Sequence, residues 1–365
     1  MLFGDKYSCS GCSACVVVCE YAAISLKSDE EGFLYPEVNY EKCIKCGVCE
    51  DVCAFKKAQN ERDVIDEELD VSLKVYVGRH FDNGIVENSR SGGVFTALSD
   101  YILKEKGYIY GVVINENMKV IHSCADSEEE RNRMRGSKYV QSLLDESIYQ
   151  DIFDKIKMGK KILFTGTSCQ IAGLKSTLKG IDDNVYYVDI VCHGVMSPLV
   201  YEEYIKRIEK KRNIRVNNID FRNKKKYGWK EHIETLSIDG REEDSVVLRN
   251  IFYSLNATRP ACSKCPFKTQ YHPGDITIAD CWGIENVAVE YADDRGCSLI
   301  FLNSDKGKKL FGKVIDNMDV REVSMSEPLF QQPLHKAYEI NEERRMRFWR
   351  GFINDSDEIF QRYDK

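Results

Sequence analysis

The sequence predicts a mixed fold of α+β and α/β class: a small module, a larger α/β domain and a helical C-terminal segment. Three observations predict it. Two runs of four cysteines with the same spacing lie before residue 54. A buried strand, a helix and a second buried strand follow one another over residues 161–191. Residues 331–365 interleave charged and aromatic side chains in a pattern typical of helices.

The composition is that of an ordinary globular protein. Of the 365 residues, 43% are hydrophobic and 30% are charged, and a net charge of −7 gives no reason to expect nucleic acid as a partner. The basic run 224–226 is predicted to be a solvated face. The N-terminus lacks the apolar segment of a secretory signal, and no apolar run is long enough to span a bilayer. The protein is therefore predicted to be cytoplasmic, where thiols stay reduced.

The first eight of the fifteen cysteines have the spacing of iron–sulfur ligands. Each run reads Cys-x2-Cys-x2-Cys-x3-Cys, in which three thiolates wrap one cubane and the fourth points to the other cubane. Two zinc sites fit this spacing poorly, because zinc prefers separated Cys-x2-Cys pairs. The sequence thus predicts two [4Fe–4S] clusters in a ferredoxin-like module. One set of ligands is Cys9, Cys12, Cys15 and Cys53, and the other set is Cys43, Cys46, Cys49 and Cys19.

The predicted domain boundaries follow from these patterns. Residues 1–58 form the two-cluster module. Residues 59–72 are charged and lack aromatic side chains, which is typical of a linker. The larger domain spans residues 73–330, and the helical segment covers residues 331–365.

The larger domain contains two patterns that suggest ligand binding. Ser91-Gly92-Gly93 precedes a helix, and a serine N-cap followed by glycines lets backbone amides approach an anion closely. This turn is either a phosphate or flavin contact or an ordinary capped helix. Strands over 161–165 and 185–191 flank a tight turn at 166–170 and a helix. Such a β-α-β unit predicts parallel strands, whose carboxyl ends meet at the edge where ligands bind.

Four further cysteines are predicted to form a third metal site. Cys169 and Cys192 follow the two parallel strands, so both thiols are expected at the same sheet edge. Cys169 also begins a helix, which is expected to lower the pKa of its thiol. The pair Cys262 and Cys265 needs two more ligands to close a site. Together the four are predicted to hold a third [4Fe–4S] cluster, with a zinc knuckle as the alternative and Cys281 as a spare ligand.

Residues 73 to about 350 resemble the beta subunits of coenzyme F-420 (deazaflavin) hydrogenases and dehydrogenases. The matching segments share their order and spacing with that family. They are Ser91-Gly92-Gly93, 136–140, 166–170, 189–194, the pair Cys262 and Cys265, and 274–283. Two residues depart from the pattern: Ser168 stands where relatives commonly have proline, and Cys281 where they usually have another residue.

The resemblance implies FAD in the larger domain beside the third cluster, which makes this an α/β flavin-binding domain. The candidate cofactor-binding residues are Ser91, Gly92, Gly93, Lys138, Tyr139, Thr167, Gln170 and His193. His193 is also the candidate catalytic proton donor, because histidine can titrate near neutral pH. The alternative for His193 is a structural hydrogen bond.

The predicted function is that of an FAD- and iron–sulfur-dependent oxidoreductase of anaerobic metabolism. Electrons would pass between the ferredoxin-type clusters and FAD to reduce or oxidise an unidentified small molecule. The expected partners are ferredoxin or another redox protein as donor and a small-molecule acceptor, and an oligomer is compatible with this function. The alternative is an electron-transfer subunit whose catalytic partner is a separate protein. A flavin in a closed pocket would favour the enzyme, and a flavin on a flat exposed patch would favour the alternative.

Overall fold

The computed structural model describes residues 4–61, 73–324 and 334–365. The strands are β1 (Ile24–Ser28), β2 (Leu34–Val38), β3 (Lys74–His80), β4 (Tyr108–Ile114), β5 (Val120–Ala125), β6 (Ile162–Thr167), β7 (Val185–Ile190), β8 (Val216–Asp220), β9 (Glu234–Ile238), β10 (Arg241–Ser245), β11 (Ile276–Asp280), β12 (Ser298–Leu302) and β13 (Met318–Val323).

The helices are α1 (Ala14–Val17), α2 (Val48–Asp51), α3 (Ala54–Glu61), α4 (Asn83–Glu87), α5 (Val94–Lys104), α6 (Glu128–Asn132), α7 (Glu146–Lys157), α8 (Ser168–Thr177), α9 (Pro198–Arg212), α10 (Lys224–Tyr227), α11 (Val247–Ser254), α12 (Ile284–Val287), α13 (Asp305–Phe311), α14 (Glu342–Asn354) and α15 (Ser356–Tyr363). In the described part of the chain, no helix combines the length and the apolarity needed to cross a membrane.

An eight-stranded mixed sheet forms the centre of the larger domain. Its strand order is β13-β3-β12-β11-β7-β6-β4-β5. The four strands β4, β6, β7 and β11 are parallel neighbours, and the flanking pairs are antiparallel. The predicted β-α-β unit is confirmed as β6-α8-β7, although β6 runs directly into α8 at Ser168 and leaves no separate turn at 166–170.

The central strands are apolar because both faces of the sheet are covered. Every residue of β12 is buried, and so are the first three residues of β6. Continuous apolar runs are typical of strands in a sheet with helices on both sides. The sheet therefore gives its carboxyl edge a rigid support.

A second layer consists of the antiparallel sheet β10-β9-β8 and four helices, α9, α11, α14 and α15. The C-terminal segment is helical, as predicted. Aromatic residues of α14 and α15, including Phe348, Trp349 and Phe360, pack into this core. The helices thus stabilise the larger domain by apolar burial.

The small module consists of the hairpin β1-β2 with α1, α2 and α3, and it packs against the larger domain. The Tyr149 hydroxyl of α7 donates a hydrogen bond to the carbonyl oxygen of Cys12 at 2.6 Å. At the turn of the hairpin, a Cβ on Gly32 would lie 2.3 Å from the Cβ of Leu199. Arg345 of α14 forms a buried ion pair with Glu31. The two domains are therefore closely fitted.

Parts of all four predicted segments fall outside the described residues. These are residues 1–3 of the predicted module, 62–72 of the predicted linker, 325–330 of the predicted larger domain and 331–333 of the predicted C-terminal segment. Helix α3 continues to Glu61, across the predicted boundary at residue 58.

Candidate functional site

A cavity of about 360 Å³ opens at the carboxyl edge of the central sheet. Thr167, Ile190 and Asp280, the last residues of β6, β7 and β11, all line it. These three strands run parallel, so their carboxyl ends meet at one edge. Both the location and the volume are typical of a cofactor or small-molecule site in an α/β protein.

The first predicted cysteine set lies together where the small module meets the larger domain. Burial, together with the nearby sulfurs of Cys9 and Cys53, raises the pKa of Cys12 to about 11. Burial and the sulfurs of Cys12, Cys9 and Cys53 likewise raise the pKa of Cys15. Four thiols from two distant stretches of chain therefore lie within electrostatic reach of one another, as a shared cubane requires.

The second predicted set faces outward. Cys46 is exposed, whereas Cys43, Cys49 and Cys19 are half-buried. Burial raises the pKa of Cys49, and Glu50 and Cys46 are among the neighbours that raise it further. Cys19 and Cys49 also pack against one apolar cluster that includes residues of α1. The outer set is thus the more accessible of the two.

The four cysteines of the predicted third site all line the cavity. Burial raises the pKa of Cys192 to about 12, and the sulfurs of Cys262 and Cys169 add to this effect. Burial and the sulfurs of Cys169 and Cys262 also raise the pKa of Cys265. The structure therefore brings the sheet-edge cysteines and the Cys-x2-Cys pair together.

The predicted low pKa of Cys169 is wrong. The residue does lie in the first turn of α8, where the helix N-terminus favours a thiolate. Burial nevertheless raises its pKa to about 12, against the opposing effects of the Thr167 hydroxyl at 3.2 Å and the Arg259 charge. A bound metal removes the proton from a coordinating thiol outright, so the free thiol's pKa does not prevent ligation.

Cys281 does not line the cavity. It is buried after β11, and its backbone N–H donates to the carbonyl oxygen of Cys297 at 2.9 Å. The two side chains belong to an apolar cluster that includes Trp229 and Ile284. This environment is typical of a packed core cysteine.

The first and third cysteine sets are neighbours across the junction of the two domains. Cys53 belongs to the same apolar cluster as Cys169 and Cys265. Helix α8 approaches the cysteine loop so closely that a Cβ on Gly173 would lie 2.7 Å from the Cys12 Sγ. The absence of a side chain at Gly173 therefore makes the approach of the two sets sterically feasible.

Seven of the eight predicted flavin residues line the cavity. They are Ser91, Gly93, Lys138, Tyr139, Thr167, Gln170 and His193. Gly92 instead packs against the sheet, where an added Cβ would lie 2.4 Å from the carbonyl oxygen of Gly78. Its own carbonyl accepts a hydrogen bond from the His80 N–H at 2.7 Å. Gly92 thus fixes the turn whose neighbouring residues face the cavity.

The predicted N-cap at Ser91 is wrong. Helix α5 begins at Val94, and its N-cap is Gly93, whose φ of 91° is left-handed and suits glycine. The Ser91 hydroxyl donates to the carbonyl oxygen of Cys297 at 2.6 Å. This contact ties the turn to the start of β12.

The prediction that residues 224–226 form a solvated face is wrong for Lys224. This side chain is buried, and its Nζ donates to the carbonyl oxygens of Val86, Ser91 and Arg295 at 2.5, 3.1 and 2.8 Å. Burial lowers its pKa to about 7. Lys224 therefore fixes the turn without lining the cavity itself.

Three predicted cofactor residues also hold the cavity wall in shape. The Lys138 Nζ donates to the carbonyl oxygens of four residues of the loop 133–136 at 2.9 to 3.2 Å. Thr167 and Gln170 form a capping box at the start of α8. The Gln170 amide also donates to the Ser142 hydroxyl at 3.0 Å. These contacts preorganise the wall before any ligand arrives.

The cavity is strongly basic, which the sequence analysis missed. Among the described residues, six lysine and arginine side chains and one acidic side chain line it: Arg90, Arg135, Lys138, Arg222, Arg259 and Lys268 against Asp280. Arg222 pairs with Asp280 at 2.6 Å. In contrast, the Nε atoms of Arg90 and Arg135 are buried and have no hydrogen-bond partner in the part of the chain that the structure describes. Each of these arginines directly precedes a segment rich in glycine and serine, a signal that could have identified both.

His193 lies on the loop after β7 and lines the cavity. Its ring stacks on that of Tyr338, with 5.4 Å between centroids. Burial lowers the pKa of His193 to about 4, and the charges of Lys268 and Arg222 add to this effect. This shift runs against the expectation that the ring titrates near neutral pH.

Three family profiles match the chain. The description "4Fe-4S dicluster domain" matches residues 8–57. Two profiles are described as "Coenzyme F420 hydrogenase/dehydrogenase, beta subunit". The profile of the N-terminal part of that protein matches residues 75–148, and the profile of its C-terminal part matches residues 159–327. The matches follow the order of the small module and the larger domain along the chain.

Individual proteins are also similar. The F subunit of the F(420)H(2) dehydrogenase from Methanosarcina mazei is 23% identical over 332 residues, with 86% of this chain and 84% of that protein covered. A chain in a structure of the F420-reducing [NiFe] hydrogenase complex from Methanosarcina barkeri is 17% identical, with a TM-score of 0.47, and the match covers 78% of this chain and 89% of that one. From its family profiles, the chain belongs to the family of coenzyme F420 hydrogenase/dehydrogenase beta subunits, carries a 4Fe–4S dicluster domain, and is an iron–sulfur electron-transfer protein of that oxidoreductase family.

Proposed function

We propose that this protein is an iron–sulfur flavoprotein oxidoreductase that passes electrons between its clusters and FAD to reduce or oxidise a small molecule. One observation carries the proposal: four converging cysteines and seven candidate flavin residues line the same cavity. When bound, FAD takes up electrons singly and delivers them in pairs, which links one-electron clusters to two-electron substrates.

The spacing of the cysteines supports cubane clusters. Zinc draws its ligand sulfurs to about 2.3 Å from one ion, whereas a cubane keeps four thiolates at separate corners. The sulfurs of Cys169, Cys192, Cys262 and Cys265 lie within electrostatic reach of one another. Four converging thiolates are what a third [4Fe–4S] cluster needs.

The arrangement of the three cysteine sets supports a linear route. The outer set includes the exposed Cys46, and the inner set packs against the third. Cys49 of the outer set is also among the charges that raise the pKa of Cys15 in the inner set. Each set thus neighbours the next, from the module surface to the cavity.

The surface around the outer set supports a protein as electron donor. Tyr40, Ile44 and Val48 are large apolar side chains that remain exposed on and beside the loop that carries Cys43 and Cys46. Clustered apolar exposure marks protein interaction sites, and redox encounters use small interfaces of this kind. We therefore propose that ferredoxin or a similar one-electron protein docks at this loop.

The basic cavity supports a dinucleotide with a negatively charged diphosphate. Arg90 and Arg135 present buried, unpartnered Nε atoms, which is costly unless a ligand accepts their hydrogen bonds. Helix α5 adds the positive end of its dipole at Gly93. FAD satisfies both features, and Ser91, Gly93 and Lys138 would then hold it at the same wall.

The test is an anaerobic purification with assays for iron, sulfide, zinc and flavin. We expect about twelve irons and one FAD per chain, since three cubanes hold four irons each. We also expect reduced ferredoxin to bleach the flavin absorbance. About eight irons with zinc and without flavin would contradict the proposal. Twelve irons without flavin would favour an electron-transfer protein that serves a separate catalytic partner.

We expect Arg90→Gln to weaken FAD binding about 10- to 100-fold, because a hydrogen bond to a charged group contributes roughly 1.5–3 kcal/mol. Among the described residues, the carboxylate that pairs with Arg90 is that of Asp220, at 4.0 Å, so no closer ion pair in this part of the chain compensates for the loss. The measurement is a titration of flavin-depleted protein with FAD, followed by flavin fluorescence.

Arg133→Gln is the control for this titration, since Arg133 is exposed on the adjacent loop and does not line the cavity. We expect its FAD affinity to equal that of the wild type. Equal affinities for all three proteins would show that Arg90 does not contact the cofactor.

A further inference from the structure

Arg259 is a buried cation at the junction of the two domains. The residue is 1% exposed. Among the described residues, the groups that accept its hydrogen bonds are two carbonyl oxygens, an amide oxygen and a sulfur, and none is a carboxylate. Nε donates to the Cys9 carbonyl oxygen at 2.8 Å, and Nη1 donates to the Gln141 Oε1 at 2.9 Å. Nη2 donates to the Leu34 carbonyl oxygen at 3.0 Å and lies 3.7 Å from the Cys9 Sγ.

A buried charge without a counter-ion is costly, so the position of Arg259 calls for negative charge nearby. Ligand thiolates supply negative charge, and Arg259 lies against two sets of them. It contacts the Cys9 sulfur directly, and its charge opposes the rise in the pKa of Cys169. Its own carbonyl accepts a hydrogen bond from the Cys262 N–H at 2.9 Å. Arg259 thus stands between the inner and the third cysteine sets.

The surrounding residues fix the guanidinium in this position. It lies 4.3 Å from the centroid of the Tyr35 ring and 5.4 Å from that of Phe33. Gly11 leaves the space that it needs, because a Cβ there would lie 2.9 Å from the Arg259 Nη1. The Gln141 amide, which accepts from Arg259, also donates to the Ser10 carbonyl oxygen at 3.0 Å. The N–H···S contact is therefore held by the packing of both domains.

We propose that Arg259 raises the reduction potential of the cluster ligated by Cys9, Cys12, Cys15 and Cys53. A reduced cluster carries one more negative charge, so a fixed cation and an N–H···S hydrogen bond stabilise it relative to the oxidised cluster. Arg259 belongs to the larger domain, so that domain sets the potential of a cluster held by the small module. This inference rests on the inner cluster of the proposed function.

The test is a redox titration of full-length holoprotein followed by electron paramagnetic resonance. We expect Arg259→Gln to shift the midpoint of one cluster to lower potential by about 59 mV or more, which is a tenfold change in a one-electron equilibrium. Arg259→Lys keeps the charge but loses the planar donor geometry, so we expect a smaller shift in the same direction.

Arg345→Gln is the matched control. Arg345 is a buried arginine of the same junction that pairs with Glu31 and donates to the Thr258 carbonyl oxygen at 2.6 Å. These partners are a carboxylate and a carbonyl oxygen, whereas Arg259 donates to a cysteine sulfur. We expect this variant to lower the melting temperature without moving any midpoint.

Unchanged midpoints in Arg259→Gln, at wild-type iron content, would overturn the inference and leave the proposed function standing. If the Arg259→Gln protein loses iron, the midpoint potentials are measured in Arg259→Lys instead. Unchanged midpoints in that variant overturn the inference as well. An equal shift in Arg345→Gln would also overturn it, because the effect would then come from the packing of the domains. A wild-type protein without cluster signals would overturn both the inference and the proposed function.

Discussion

Replacing Cys265 by alanine should lower the iron content from about twelve to about eight atoms per chain, because one cubane loses a ligand. Substitution of residues that hydrogen-bond to a metal ligand already lowers metal affinity about 10- to 100-fold. Loss of the ligand itself should lower the affinity further. Burial and the neighbouring sulfurs of Cys169 and Cys262 raise the pKa of Cys265, which places this thiol within the third cysteine set. The measurements are iron and sulfide assays together with the paramagnetic signals of the dicluster domain, which should persist.

Cys281→Ala is the control, because this buried cysteine packs against Cys297 and does not line the cavity. Its iron content should match that of the wild type. Iron loss in Cys281→Ala with full retention in Cys265→Ala would mean that the third site uses a different set of thiols.

The second large effect is expected from Gly173→Ala. The new Cβ would lie 2.7 Å from the Sγ and 2.9 Å from the Cβ of Cys12, so either α8 or the cysteine loop must move. Such overpacking costs roughly 1–3 kcal/mol, which should lower the melting temperature by several degrees. Because the inner and third cysteine sets meet here, electron passage from the outer clusters to the proposed flavin should also slow. Stopped-flow absorbance, with reduced ferredoxin as donor, measures that rate.

Gly312→Ala is the control variant. Gly312 lies at the C-terminal end of α13 and has room for a side chain. A Cβ at this position would meet its nearest neighbour, the Lys308 carbonyl oxygen, at 3.4 Å, an ordinary contact. Its stability and electron-transfer rate should stay close to those of the wild type. A Gly173→Ala protein as stable and as fast as this control would show that the two cysteine sets are not in close contact.

The iron–sulfur module could be predicted because its information is local. Eight cysteines at fixed spacing identify their own chemistry, and the structure brings Cys53 to Cys9 and Cys12 as the spacing indicated. The β-α-β unit could likewise be predicted, because two apolar strand segments flank a helical segment in the sequence. Its register, with Thr167 opposite Ile190, places the two sheet-edge cysteines on one edge.

The pKa shifts at the site could not be predicted from the sequence, because burial decides the sign of many of them. A helix N-terminus lowers the pKa of an exposed thiol, but at Cys169 burial dominates and raises it. Lys224 belongs to a basic run that looks solvated in sequence, yet it lies inside the domain. His193 has a side chain that ordinarily titrates near neutral pH, yet burial lowers its pKa. Each of these errors has the same cause, since a single sequence does not show which loops cover which residues.

Arg90 and Arg259 were missed for a related reason. Each is an isolated arginine beside a recognisable motif, and neither belongs to a charge pattern. Their roles appear only when distant segments meet: residue 259 reaches the loop of residue 9, and residue 90 lines the same cavity as the ends of β6 and β7. In related sequences, a basic residue next to a glycine-rich or cysteine motif is therefore a candidate for contact with the cofactor or cluster at that motif.

The contacts between α14 and the small module have a consequence for biosynthesis. Arg345 pairs with Glu31 across 314 positions of sequence, and Glu342 accepts a hydrogen bond from the Tyr7 hydroxyl across 335. Ribosomes release the N-terminal part of a chain first, and early domains fold while the remainder is still being made. The cysteine loops of the small module therefore leave the ribosome long before α14, the helix that contacts Tyr7 and Glu31 of this module. We expect cofactor insertion to use that interval, before the contacts of α14 with the small module form.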